Sequence, residues 1–160
     1  MKSVLAAAFR ALPKPLLRFG LFAANAKFIH GVVGVFQDER GRVLVLRHVF
    51  RKTKPWGFPS GLANVGEDAC AAAARELHEE TGLAATDLKT GATTLVAPRH
   101  LETVVYGRAD SAAEIRSSHE IFEARWIDPA APDADVAAEL PQAHRELLDR
   151  FSNEGTPAPC

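Results

Sequence analysis

The sequence predicts a single α/β domain in which strands and helices form one core. Short runs rich in β-branched and aromatic residues recur along the chain, as they do in strands. One alanine-rich stretch, residues 68–81, has the composition of a helix. The length of 160 residues is enough for one domain with a sizeable core, and neither a repeat nor a linker divides it.

The predicted elements follow one another with turn signals between them. The first two strands enclose the turn QDERGR and are expected to form a hairpin, and a basic loop rich in proline and glycine follows. Acidic residues at the start of the helix 68–81 and Gly82 behind it fit the two helix ends. A final helix is expected at 135–150, where Pro141 can split it. The predicted strands are 28–36, 43–50, 93–98, 101–109 and 120–128.

The two ends of the chain differ from the middle. Residues 1–27 are apolar with interspersed lysine and arginine, which predicts short amphipathic helices. The stretch is too short and too interrupted for a transmembrane span, and it is weak as a secretory signal. We expect a packing or homodimer segment, with a membrane-surface anchor as the less favoured alternative. Residues 151–160 are predicted to be a disordered tail.

The charge and the cysteines exclude some functions. The net charge is −1, so no overall basic field indicates a nucleic-acid partner. The two cysteines, Cys70 and Cys160, have no metal-binding spacing. We interpret them as reduced thiols, which favours a cytoplasmic location.

Three glutamates near the end of the alanine-rich helix predict a metal site. Glu76, Glu79 and Glu80 stand at positions i, i+3 and i+4, which lie on one side of a helix. Carboxylates placed so close together repel one another unless a cation joins them. Mg²⁺ prefers such oxygen ligands. Arg75 lies four residues before Glu79 and can pair with it.

The spacing around these glutamates is G-x5-E-x7-R-E-L-x-E-E-x-G-L, from Gly61 to Leu83, and it resembles the Nudix hydrolase signature at every position. A solvated charged helix face is the alternative, but it would not require glycines at fixed offsets. VVGVFQDERGRVLVLRH is similar to the opening hairpin of the family, KPWGFPSG to its entry into the box, and EARWID to its strand before the last helix. The resemblance covers about residues 28–150.

This resemblance implies an α/β/α sandwich with a mixed central sheet. It also implies a Mg²⁺-dependent hydrolase, with Mn²⁺ as a substitute, that cleaves the diphosphate of a nucleoside diphosphate linked to another group. Two departures from the family pattern, Ser60 for a common glycine and Asn64 for a common glutamate, remove none of the family's carboxylates. The implied metal ligands or their supports are Ser60 through its carbonyl, Glu67, Glu76, Glu79 and Glu80.

The general base is expected to be a box glutamate or a glutamate from a later loop. Glu120 is the preferred later candidate, because SHEIFEARW places it at the mouth of a strand; an ordinary strand-edge glutamate is the alternative. Glu102, Glu123 and His119 are weaker candidates. The catalytic residues implied are therefore Arg75, Glu79, Glu80 and Glu120.

Basic residues before the box are candidates for substrate phosphate, although each one alone is more often a solvated loop residue. Trp56 and Phe58 could stack on a base, but burial in the core is the favoured interpretation. The substrate-binding candidates are Arg47, Arg51, Lys52 and Lys54, together with Pro98.

Pro98 carries the substrate hypothesis, because family members that act on ADP-ribose tend to have a proline at about this distance beyond the box. Pro98 lies fifteen residues after Leu83, and a strand-edge proline is the alternative. The resemblance thus favours ADP-ribose or a nucleotide sugar, a small nucleotide substrate, over nucleic acid. The alternatives are a house-cleaning nucleoside triphosphate pyrophosphatase and a Nudix-like nucleotide-binding regulatory module, which would usually have lost box glutamates.

Overall fold

The computed structural model describes residues 13–154. Within that range the helices are α1 Lys14–Ala24, α2 Ala69–Thr81, α3 Ala134–Glu139 and α4 Gln142–Glu154. The strands are β1 Ile29–Gln37, β2 Val43–His48, β3 Trp56–Gly57, β4 Ser60–Leu62, β5 Ala85–Ala97, β6 His100–Ala109 and β7 Ile121–Ile127.

The strands form one mixed sheet. β1 runs parallel to β6 along its whole length, while the pairs β2–β3, β2–β7, β1–β4 and β5–β6 are antiparallel. The predicted hairpin exists only at its turn, where Gln37 pairs with Val43. Beyond that pair the two strands separate, because β4 pairs with residues 31–33 on the edge of β1 that faces away from β6.

Helices cover both faces of the sheet, so the predicted α/β/α sandwich is confirmed. Side chains alternate between the two faces of a strand, and β1 shows this directly. Val33 and Val35 belong to the apolar cluster that includes Leu148 of α4. Val32 and Phe36 belong to the opposite cluster, which includes Leu77 of α2. The sheet therefore holds α2 against one face and the C-terminal helices against the other.

Helix α2 has the ends that the sequence predicts. Asp68 is the N-cap, and its Oδ1 accepts a 2.8 Å hydrogen bond from the Ala71 N–H. Gly82 ends the helix at φ 75°, a left-handed conformation that glycine adopts without steric cost. Its N–H donates to the His78 carbonyl at 2.8 Å. Both caps are local, which is why the sequence alone identifies this helix.

Other boundaries differ from the prediction. The loop 51–61 contains β3 and β4, two short strands set by pairing with β2 and β1 rather than by their own composition. β5 begins at Ala85, eight residues before the predicted strand, and most of its side chains are exposed at the edge of the sheet. The final helix is split at Pro141, as expected.

The C-terminal prediction was wrong for residues 151–154, which continue α4. Phe151 is buried, and its ring stacks on Tyr106 with 6.2 Å between centroids and an interplanar angle of 11°. The helix continues because this aromatic contact ties its last turn to β6. Residues 155–160 lie outside the described part of the chain.

Helix α1 confirms helical structure for part of the N-terminal segment, while residues 1–12 lie outside the described range. No residue of α1 is buried, and four of its large apolar side chains are exposed. These side chains are Leu16, Phe19, Leu21 and Phe22. No helix in the described range is long and apolar enough to cross a membrane.

Candidate active site

The box glutamates face a cavity of about 440 Å³ between α2, β4 and the loop before β7, which we call the glutamate cavity. α2 contributes the three helical glutamates. β4 contributes Ser60 and Gly61, which pairing with Val33 and Val32 of β1 fixes opposite the helix. The side chains lining the cavity are Ser60, Gly61, Glu76, Glu79, Glu80, Ser118, His119 and Glu120.

Glu80 is the most buried carboxylate of this cavity, with 7% of its surface exposed. The Ser60 N–H donates to Glu80 Oε2 at 3.3 Å. Burial, together with the negative charges of Glu76 and Glu120, raises the pKa of Glu80 to about 8, although the Arg51 guanidinium opposes the shift. Negative charge is therefore crowded at this point, as expected for a site that binds a cation.

Gly61 leaves the space that the Glu76 carboxylate occupies. A Cβ at position 61 would lie 2.0 Å from Glu76 Oε1, far inside van der Waals contact. The glycine of the box is thus explained by close packing against a carboxylate. Its partner Glu76 is held there by the Arg75 guanidinium, whose Nη1 donates to Oε1 at 2.8 Å.

Arg75 connects the helix to the box loop. Its Nη1 also donates to Glu79 Oε2 at 3.1 Å, which confirms the predicted pair. Its Nη2 donates to the Leu62 carbonyl at 2.9 Å. The same guanidinium binds both oxygens of Glu67, at 2.9 Å each. One side chain therefore positions three carboxylates and one strand end.

Glu67 supports the site through Arg75. Its two oxygens accept from Arg75, and Oε2 also accepts from the Asn64 N–H at 2.8 Å. The hydrogen bonds from Arg75, followed by that from Asn64, lower the pKa of Glu67 to about 2. Glu67 does not line the glutamate cavity. Both carboxylate oxygens of Glu67 are thus occupied by Arg75 in this structure, and a role for Glu67 at a metal stays a prediction.

The donors that remain fit a hard divalent cation. Among residues 13–154, no three histidine, cysteine or acidic side chains converge as a ready ligand set, and Arg75 binds the carboxylates of Glu76 and Glu79. All the same, Ser60, Glu76, Glu79 and Glu80 face one cavity and offer oxygen atoms only. Oxygen donors of this kind, some of them carboxylates, suit Mg²⁺ or Mn²⁺.

Glu120 lines the same cavity from the loop before β7, and its side chain is 56% exposed. Its charge contributes to the raised pKa of Glu80, so the two carboxylates are close enough to interact. The other base candidates are less suitably placed. Glu123 is bound to Arg125 at 2.6 Å, His119 is 84% exposed, and Glu102 does not line the cavity.

The basic residues before the box line a second cavity of about 540 Å³, which we call the basic pocket. Arg47, Arg51, Lys52 and Lys54 all contribute to it. Sequence reasoning missed one further lining residue, Phe122. A β-bulge sets its position, since His48 pairs with Ile121 and Arg47 with Glu123, which leaves Phe122 without a partner in β2. No local signal in the sequence marks the bulge.

Trp56 and Phe58 are core residues, as the favoured interpretation had it, and do not stack on a ligand. They are 1% and 0% exposed. The Arg125 guanidinium lies 4.8 Å from the centroid of the Trp56 ring. Phe58 stacks on His144 at 5.1 Å, and its N–H donates to His144 Nδ1 at 3.2 Å.

Pro98 lies apart from both cavities. It is exposed in the turn between β5 and β6, and it lines neither the glutamate cavity nor the basic pocket. Its role in substrate choice stays a prediction.

The fold and the cavity lead to a comparison with known proteins. The model of the NUDIX domain matches residues 27–151 of this chain. A Nucleoside diphosphate-linked moiety X motif 6 protein from Xenopus laevis is 46% identical over 54 residues, which are 33% of this chain and 25% of that protein. The chain thus matches only about a quarter of the length of that relative.

Two further proteins match over most of this chain. An RNA pyrophosphohydrolase from Dinoroseobacter shibae is 28% identical over 141 residues, covering 74% of this chain and 88% of that protein. A bifunctional NMN adenylyltransferase/ADP ribose pyrophosphatase from Francisella tularensis, solved with AMP and a Mn ion, superposes with a TM-score of 0.64. It is 18% identical, covers 86% of this chain and 45% of that one, and therefore shows a shared fold.

The family match extends over most of the chain, and Gly61, Glu76, Glu79 and Glu80 of the box line one cavity. The chain belongs to the Nudix family and is a hydrolase that acts on pyrophosphate bonds.

Proposed function

We propose that this hydrolase cleaves the diphosphate of a nucleoside diphosphate linked to another group, with ADP-ribose or a nucleotide sugar as the substrate and Mg²⁺ as the cofactor. The products are a nucleoside monophosphate and a phosphorylated remainder. The observation that carries the proposal is the meeting of Ser60, Glu76, Glu79, Glu80 and Glu120 in one cavity beside a basic pocket.

Four residues would hold the ion: Ser60, Glu76, Glu79 and Glu80. When bound, a divalent cation of this kind offsets the charge of a diphosphate and lowers the pKa of water. The crowded negative charge around Glu80 supports its presence. The structural neighbour from Francisella tularensis, solved with a Mn ion, supports Mn²⁺ as a substitute.

The remaining residues have separate tasks in this proposal. Arg75 fixes the rotamers of Glu76 and Glu79, which keeps their oxygens directed at one region of the cavity. Glu120 takes the proton of the attacking water, because it lines the same cavity as the helical glutamates and is accessible from solvent. The basic pocket attracts the anionic substrate.

Two observations support ADP-ribose or a nucleotide sugar. The neighbour from Francisella tularensis is named an ADP ribose pyrophosphatase, and Pro98 stands at the distance from the box that ADP-ribose hydrolases of the family tend to share. A second candidate is the removal of pyrophosphate from a 5′-triphosphate. It is favoured by the similarity to an RNA pyrophosphohydrolase over 88% of that protein and by the four cationic side chains of the basic pocket. A purely regulatory module is not favoured, because every box glutamate is present.

A substrate panel tests the proposal. The purified chain with Mg²⁺ is incubated with ADP-ribose, NDP-sugars, NADH, diadenosine polyphosphates and nucleoside triphosphates, and the release of monophosphate or pyrophosphate is measured. We expect release of AMP from ADP-ribose, which Glu79→Gln and Glu80→Gln abolish. His78→Gln is the matched control, since His78 is an exposed residue of the same helix.

The outcomes separate the candidates. If only nucleoside triphosphates are hydrolysed, with release of pyrophosphate, ADP-ribose and nucleotide sugars are excluded as substrates and the second candidate is supported. Tight binding of one panel member without any turnover would indicate a regulatory module and overturn the proposal.

A further inference from the structure

The basic pocket and the glutamate cavity share a wall. Arg51 lines the basic pocket, and its Nη2 donates at 3.2 Å to the hydroxyl of Ser60, which lines the glutamate cavity. On the other side, the Val49 N–H donates to the Glu120 carbonyl at 2.8 Å. Val49 lines the basic pocket and Glu120 the glutamate cavity. The two cavities are therefore adjacent, and Arg51 lies between them.

The basic pocket contains an aromatic surface at its edge. Phe122 is the unpaired residue of the bulge in β7, and it is 69% exposed. The Arg47 guanidinium lies 5.3 Å from the centroid of the Phe122 ring. A flat cation against an exposed ring offers π-faces on which a nucleobase can stack, independently of base sequence.

We propose that the basic pocket is the nucleoside subsite of this hydrolase and that Phe122, with Arg47 over its ring, is the residue that holds the nucleobase. Resting on the proposed function, this assigns the nucleoside end of the substrate to the basic pocket and the scissile diphosphate to the glutamate cavity. Arg51, at the shared wall, contacts the phosphate between them. The other end of the substrate, whether sugar or phosphate, extends past the glutamate cavity, away from the basic pocket.

The first experiment compares two phenylalanines of equal exposure. Phe122→Ala is tested against Phe50→Ala, because Phe50 is 70% exposed and does not line the basic pocket. On the best nucleotide substrate of the panel, Phe122→Ala should raise KM about tenfold with kcat unchanged, because stacking binds substrate and transition state alike. Phe50→Ala should leave both constants unchanged. Circular dichroism establishes that both variants fold.

The second experiment measures binding without turnover. AMP and ribose 5-phosphate are titrated calorimetrically into wild-type and Phe122→Ala protein in the presence of Mg²⁺. We expect AMP affinity to fall about tenfold in the variant and ribose 5-phosphate affinity to stay the same, because only AMP carries a base.

The two measurements distinguish the two proposals. If the wild type hydrolyses nucleotides but Phe122→Ala and Phe50→Ala behave alike, the subsite is overturned while the proposed function stands. If no nucleotide is hydrolysed, the proposed function fails, and the AMP titration alone decides the subsite. If the variant loses affinity for AMP and for ribose 5-phosphate equally, Phe122 shapes the pocket without contacting the base. That result would also overturn the proposed stacking of Phe122 on the nucleobase.

Discussion

Arg75 binds Glu67 through two parallel hydrogen bonds of 2.9 Å, from Nε to Oε1 and from Nη2 to Oε2. This pair of hydrogen bonds joins the middle of α2 to the loop before it. The remaining nitrogen of the guanidinium, Nη1, donates to Glu76 and Glu79 and orients them. Glu76 and Glu79 are therefore positioned by a residue that does not itself line the glutamate cavity.

Replacing Arg75 should weaken the site without unfolding the protein. In Arg75→Lys a single ammonium cannot make the parallel pair of hydrogen bonds. We therefore expect roughly a 10- to 100-fold loss in kcat/KM and a higher Mg²⁺ concentration for half-maximal activity. Steady-state rates over a Mg²⁺ titration measure both effects. Arg116→Lys is the control, since the Arg116–Glu114 pair is exposed on both sides. Equal losses in the two variants would contradict a positioning role for Arg75.

Glu80→Gln should stabilise the metal-free protein while it removes activity. With a pKa of about 8, Glu80 has to take up a proton on folding at neutral pH, whereas a glutamine avoids that cost and its amide oxygen can still accept from Ser60. We expect a gain of roughly 1 to 3 kcal/mol in the free energy of unfolding, measured in urea with a chelator present. Glu79→Gln should show no such gain, because Glu79 is 57% exposed. Added Mg²⁺ should raise the Tm of the wild type and not that of Glu80→Gln.

Glu120→Gln tests the general base. If Glu120 takes the proton, kcat should fall by about 10² to 10⁴ while KM changes little. Glu114→Gln serves as the neighbouring control, since Glu114 is 77% exposed and does not line the glutamate cavity. A Glu120→Gln variant with the kcat of the wild type would transfer the role to a box glutamate.

Acid should destabilise the fold through His144. Burial, and then the nearby Arg51 charge, lower the pKa of His144 from 6.5 to about 4. In the unfolded chain His144 is protonated below about pH 6.5, whereas in the folded chain it stays neutral down to about pH 4. The free energy of unfolding therefore falls as the pH is lowered from 6.5 to 4. From pH 7 to pH 5 this costs about 2 kcal/mol.

The comparison with His144→Gln isolates this contribution, because the other titrating groups are common to both proteins. We expect the difference in unfolding free energy between the wild type and the variant to shrink by about 2 kcal/mol from pH 7 to pH 5. A constant difference over this range would show that His144 is protonated in the folded protein.

Phe151→Ala tests the ordered end of α4. The side chain is 5% exposed and stacks on Tyr106, so its loss should cost about 3 kcal/mol of unfolding free energy. Ser152→Ala, at an exposed position of the same turn, should change stability by less than about 0.5 kcal/mol. A small effect of Phe151→Ala would restore the earlier expectation of a loose tail.

Sequence reasoning succeeded where the determining contacts are local. The caps Asp68 and Gly82 and the i, i+3, i+4 glutamates lie within one helix, so spacing alone predicts their arrangement. It also anticipated the split at Pro141, since a proline within a helix lacks the N–H that the helix requires.

It failed where distant strands decide the geometry. The separation of β1 from β2 depends on β4, which occupies the edge of β1 that β2 would otherwise use. The exposure of Phe122 depends on a bulge against β2, and the pairing of Glu67 with Arg75 depends on a loop conformation. None of these contacts has a local sequence pattern, because each depends on pairing or loop geometry set elsewhere in the fold.

The contact between Gly61 and Glu76 has a consequence for natural variation at this position. A methyl group at residue 61 meets the far end of a flexible side chain, so the carboxylate can move aside and the backbone can stay in place. A carrier of Gly61→Ala would accumulate normal amounts of folded protein that lacks one oriented ligand. Abundance measurements would score such an allele as harmless, whereas assays of turnover would score it as a loss.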